Sequence, residues 1–162
     1  MRNKGFTLLE LVTVIAIISI LVATGVPAFA NYQRHNSIRI AAQDIKSFLI
    51  EARTLSLNPR PEDKGSKYYF AEIGSSTISL GVGDGSGDLA IKEIKFGNDV
   101  KVDQGQDTYS YNIPSGEGTF GEGKIVLNLR DPRGGEDIYW QTIAIDGIGG
   151  DVKVTEGVTN EE

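Results

Sequence analysis

The chain has no cysteine, one histidine, one tryptophan, and a single methionine at position 1 among 162 residues. Without cysteine there is neither a disulfide framework nor a thiolate metal site, so any folded domain must hold together by core burial alone. With His35 as the only imidazole, a multi-histidine metal site is excluded and a Ser-His-Asp triad would need that one residue; a surface position is the simpler expectation for it. No glycine-rich phosphate loop, nucleophile elbow or paired-carboxylate arrangement is present. Basic residues are also scarce, 16 against 22 acidic, for a formal net charge of −6. An acidic chain of this kind has no general affinity for nucleic acid phosphates.

A further absence is local. From Leu11 to Ala30 there is no charged residue. Twenty helical residues rise roughly 30 Å, the thickness of a bilayer's hydrocarbon layer. Just ahead of this run stands Glu10, and ahead of that a short basic head, Met1-Arg-Asn-Lys-Gly5. An ionised carboxylate in such a segment costs on the order of 2–3 kcal/mol, less near an end. A partner charge is therefore expected for Glu10, and a cut just before Phe6 would supply one. The new amine would lie four residues from Glu10, one helical turn away on the same face.

Lys4-Gly5-Phe6-Thr7-Leu8-Leu9-Glu10 resembles the class III signal of type IV pilins and type II secretion pseudopilins. The resemblance implies cleavage after Gly5 by an inner-membrane prepilin peptidase, N-methylation of Phe6, and a role for Glu10 in filament assembly. Arg2 and Lys4 would remain cytoplasmic and the rest of the chain extracytoplasmic. Loss of the leader would leave 14 basic residues, a net charge of −8. Two other readings fit parts of the same segment. Ala28-Phe29-Ala30 is an A-x-A site for ordinary signal peptidase, but Glu10 interrupts the apolar region and that region exceeds the usual length. An uncleaved anchor accounts for the apolar run but not for Gly5-Phe6 or Glu10.

Within the run, Pro27 lacks a backbone donor and its ring clashes with the Ala23 carbonyl, a perturbation of about 3 kcal/mol in an ordinary helix interior. Gly25 adds freedom at the same place. Gly25 and Pro27 therefore mark an expected kink, and the resemblance implies local bending or melting on packing into a filament. Beyond it, Ile38, Ala41, Ala42, Ile45, Phe48, Leu49, Ala52 and Leu55 recur at spacings of three and four, one helical stripe. A helix from about Phe6 to Ser56 is predicted, stopped by Asn58-Pro59-Arg60-Pro61.

From Lys67 the pattern becomes short strands: 67–73, 77–82, 90–96, 108–113, 124–130, 138–146 and 151–155, separated by glycine-rich turns. The expected fold is α+β, a long N-terminal helix, transmembrane in its first half, packed on an antiparallel sheet domain. The expected organisation is a leader over 1–5, a transmembrane half-helix over 6–30, an amphipathic half over 31–57, and a β-rich domain over 62–162. Ile40–Arg53, with its Leu-x-x-Ala-Arg stretch, and Ile143–Val154, with its glycine turn, are similar to the second helical half and final hairpin of GspH/FimT-type minor pseudopilins.

That resemblance implies a non-enzymatic filament subunit with no cofactor. It would serve protein secretion or pilus biogenesis, with prepilin peptidase, other pilin or pseudopilin subunits and an inner-membrane assembly platform as partners. A major type IV pilin, or a DNA- or ligand-binding tip subunit of a competence pilus, are the alternatives. Against DNA, the tail from Asp151 to Glu162 carries one lysine and four acids, so nucleic acid is a disfavoured partner. Asp84-Gly-Ser86-Gly-Asp88 has the alternating oxygens of a calcium loop, but its twelfth position is Lys95 rather than a bidentate Glu, so a polar hairpin turn is expected and no metal. Asp131–Asp137 is loosely like the calcium loop of some major pseudopilins, with Arg133 and a shifted spacing against it. Tyr109, Tyr111, Tyr139 and Trp140 are expected as core or cross-strand pairs rather than a binding face.

Overall fold

Apolar periodicity at three and four residues builds the expected helix, α1, over Leu8–Leu57. The structure is a computed structural model and describes residues 7–97, 99–129, 139–148 and 150–158. The chain divides into two compact units, Met1–Arg34 and His35–Glu162.

In the first unit α1 carries no charge from Leu11 to Ala30 and is apolar round that stretch. Leu8, Leu9, Leu11, Val12, Ile15 and Ile18 are all more than half exposed. A helix with no polar face has to be covered by lipid or by other chains. This one is long and apolar enough to cross a membrane. Its few hydroxyls are compatible with such a setting. Thr13 Oγ1 donates to the Leu9 and Glu10 carbonyls at 3.1 and 2.9 Å, Ser19 Oγ to Ile15 at 2.8 Å, and Thr24 Oγ1 to Ile20 and Leu21 at 3.1 and 3.2 Å. Each donor is thereby satisfied within the helix, as a water-free surrounding requires.

In the second unit the stripe turns inward. Ile38, Ala41, Ala42, Ile45, Phe48, Leu49 and Ala52 are buried, and Leu55 packs against them. The helix stops at Leu57 ahead of Pro59, and a single 3-10 turn, Pro61–Asp63, follows. Tyr69 ties that turn down: its hydroxyl donates to the Asp63 carboxylate and accepts from the Arg60 amide at 3.3 Å.

Eight strands follow: β1 Tyr68–Ile73, β2 Thr77–Gly83, β3 Asp88–Lys95, β4 Val100–Gln104, β5 Thr108–Asn112, β6 Glu122–Leu129, β7 Tyr139–Asp146 and β8 Val152–Val158. They form two antiparallel four-stranded sheets, β3-β2-β1-β5 and β4-β6-β7-β8, rather than a single one. One hydrophobic core joins the helical stripe to the inward positions of both, among them Tyr69, Ile78, Leu80, Ile125, Leu127 and Ile143. The α+β expectation is met. Seven of the strands fall on the expected runs, while β4 was not expected. Arg130 and Ile138, at the expected ends of two strands, lie outside the described residues.

Tyr109 and Tyr111 alternate inward along β5, and both rings meet Phe120 edge-on, at 5.0 and 5.5 Å. They are core residues. Burial raises the Tyr109 phenol above its ordinary pKa and pushes that of Tyr111 up to about 12.

Candidate functional site

The sequence points to the amino-terminal turn of α1, and the described residues begin just ahead of it, at Thr7. Thr7 is the residue before the helix. Its hydroxyl accepts from the Glu10 amide at 3.2 Å, and its carbonyl accepts from the Leu11 amide at 3.2 Å. Thr7 is thus the N-cap and Glu10 the third helical residue. The first four amides of a helix have no partner within it, and in an apolar medium an orphan donor is costly. The Thr7 side chain satisfies one of these four. The Glu10 carboxylate stands in the first turn, where the positive end of the helix dipole favours an anion. The cap was legible in the sequence as Thr-x-x-Glu ahead of an apolar run, but the cleavage motif on the same residues overshadowed it.

Gly5 and Phe6 lie outside the described residues. Gly25 and Pro27 fall inside the continuous span of α1. A Cβ built at Gly25 meets nothing within 4 Å, so no steric crowding accounts for glycine there.

An exposed anion in the first turn of an apolar helix can bind a cation or an amine. Among the described residues no group of three His, Asp or Glu is placed to hold a metal ion. The loop between β2 and β3 is the expected hairpin turn. Asp84 Oδ1 accepts from the Ser86 and Gly87 amides at 2.7 and 3.2 Å, and Gly85 takes a φ of 88°. Those two amides hold the Asp84 carboxyl below its ordinary pKa. The segment 131–137 lies outside the described residues. His35 is exposed on α1, its ring edge-on to Tyr139 at 4.5 Å.

The family described as the Prokaryotic N-terminal methylation motif matches residues 1–26. Beyond that motif, the chain is similar to type IV pilins and fimbrial proteins. It is 30% identical over 92 residues to the Type IV major pilin protein PilA of Myxococcus xanthus, covering 56% of this chain and 42% of that one. It is 29% identical over 102 residues to a Fimbrial protein of Pseudomonas aeruginosa, covering 59% and 63%. Over 53 residues it is 43% identical to the Prepilin peptidase-dependent protein D of Escherichia coli, covering 33% and 34%. The chain spans less than two thirds of the length of each of these relatives. No solved structure matches it. None of these relatives is named as an enzyme.

Proposed function

We propose that this chain is a minor pseudopilin or minor pilin of the GspH/FimT kind, cut between Gly5 and Phe6 by prepilin peptidase and methylated at Phe6. The mature subunit waits in the inner membrane, amino terminus cytoplasmic and β-rich domain outside. An assembly platform in that membrane then extracts it into a type II secretion pseudopilus or type IV pilus, where it packs against other pilin or pseudopilin subunits. Its work is mechanical: it helps initiate or cap an assembly that exports protein or extends a pilus.

The observation that carries this reading is Glu10, a capped first-turn carboxylate at the entrance to a helix with no other charge as far as Ala30. Desolvation makes such a carboxylate seek an amine, and the Phe6 amine keeps its charge on methylation. Subunits are then favoured at the register where each Glu10 meets an amine, its own or a neighbour's. The exposed apolar surface of the first unit supports burial in lipid at one stage and against other helices at the next.

A second reading, a major type IV pilin, draws support from the Myxococcus xanthus relative, which is named as one. Copy number in sheared filaments separates the two, since a minor subunit is scarce there. Mass spectrometry of the native amino terminus tests the shared premise: methylated Phe6 is expected, and a chain beginning at Met1 or Asn31 overturns it.

A further inference from the structure

Strand register arranges the outer face of the second sheet into rows of like charge. Lys124 of β6 stands opposite Ala144 of β7, which stands opposite Lys153 of β8. Two residues along, Glu122 stands opposite Asp146, whose amide donates at 3.0 Å to the carbonyl of Asp151. Both β6 and β8 run antiparallel to β7 and therefore parallel to each other. Glu122-Gly-Lys124 and Asp151-Val-Lys153 thus lay acid then base in the same direction. Same-face residues of one strand lie about 6.8 Å apart, so an acidic row adjoins a basic row. These six side chains line an open trough of about 630 Å³, and Ala144, exposed and small, leaves its middle low.

Such a face is its own complement. A half-turn about an axis lying in the face, between the rows and parallel to them, brings Lys124 over Glu122 and Lys153 over Asp151 of the second copy. A partner of one sign throughout, such as a nucleic acid, would meet like charge in one row. We propose that this face pairs with the same face of a second copy of the chain in an isologous contact. Lys153 Nζ lies 3.3 Å from Asp151 Oδ2 within the single chain, with both side chains well exposed. Pairing exchanges that contact for one between copies, so the association is weak and salt-sensitive. It does not depend on cleavage at Gly5 or on the filament reading.

The test is sedimentation equilibrium of the full chain in detergent. A basic-to-acidic variant, Lys124→Glu with Lys153→Glu, and an acidic-to-basic variant, Glu122→Lys with Asp151→Lys, should each self-associate about tenfold more weakly than the native chain, because like charges then face each other. An equimolar mixture of the two should recover native association, and 0.5 M salt should weaken it. Lys124→Gln with Lys153→Gln, which adds no repulsion, should fall between. Unchanged self-association in both reversed variants, or their failure to pair with each other, overturns the proposal.

Discussion

The Glu10 amide donates to the Thr7 hydroxyl at 3.2 Å, so the residue proposed to govern assembly is also the one whose backbone the N-cap holds. Cap and charge can be separated by substitution. Thr7→Ala removes the acceptor, costing about 1 kcal/mol of helix stability, and Thr7→Ser keeps it. Faster amide exchange at Glu10 is expected for Thr7→Ala and not for Thr7→Ser. Glu10→Gln keeps the shape of the side chain without its charge, while Glu10→Val removes both. If charge pairing sets the register, both Glu10 variants are processed to mature mass yet are depleted from sheared filaments. Incorporation of Glu10→Gln at the native level would reject the pairing.

Gly5 carries a separate prediction. The small-residue requirement implied for the cut makes Gly5→Val accumulate as unprocessed precursor in the membrane, with Gly5→Ala processed in part. An immunoblot reads this directly, and mature mass for Gly5→Val would remove the prepilin assignment.

Arg53 joins α1 to two loops of the second unit. Its Nε donates to the Gly116 carbonyl at 3.2 Å. A Cβ at Gly150 would lie 1.7 Å from its guanidinium, at a glycine whose φ is +68°. Gly150→Ala is therefore opposed by sterics and by backbone strain together, whereas a Cβ at Gly121 meets nothing within 4 Å. Thermal unfolding should show Gly150→Ala destabilised by about 2 kcal/mol or more and Gly121→Ala by under about 1 kcal/mol. Arg53→Met, which keeps the stem and drops the charged donor, should cost about 1.5–3 kcal/mol.

Much of this domain could be read in advance, and what escaped has physical causes. The stripe from Ile38 to Ala52 was legible because a helix buries every third or fourth residue whatever it packs on. Tyr109 and Tyr111 were legible because alternation marks a face. Strand β4 was not, since Val100-Lys-Val-Asp-Gln offers only two apolar positions and owes its order to pairing with β6. The division into two sheets was equally hidden: β5 pairs with β1 across three intervening strands, and periodicity carries no information about partners. At the amino terminus both the charge pattern and the Thr-x-x-Glu cap were legible, though the cap lay on the same residues as the cleavage motif. The acid-then-base rows of β6 and β8 needed the register.

Alkaline pH should unfold the domain through its buried phenols. Burial pushes the Tyr111 pKa from an ordinary 10.0 up to about 12, and raises those of Tyr69 and Tyr109 as well. The folded state thus holds its phenolic proton where the unfolded state has lost it. Stability is fully present below about pH 10 and falls as pH rises toward 12. For Tyr111 alone the loss is at most about 2–3 kcal/mol. Urea unfolding of the full chain in detergent at pH 8 and pH 11 should show the decline, and Tyr111→Phe should flatten it. A Tyr111→Phe variant with the native pH dependence would mean that this phenol titrates normally.

The expected bend at Gly25 and Pro27 yields the last prediction. Since a Cβ at Gly25 finds open space, Gly25→Ala introduces no clash and stiffens the helix by about 1 kcal/mol. Pro27→Ala restores a backbone donor and removes a perturbation of about 3 kcal/mol. The double variant should therefore insert in the membrane and lose its leader as the native chain does, because neither step needs the bend. Incorporation into filaments is different. If packing requires the helix to yield here, the stiffened subunit pays that deformation and should be several-fold depleted in sheared filaments, with each single variant less affected. Depletion together with a block in processing would point instead to a fault in insertion. Native incorporation of the double variant would leave Gly25 and Pro27 without an assembly role.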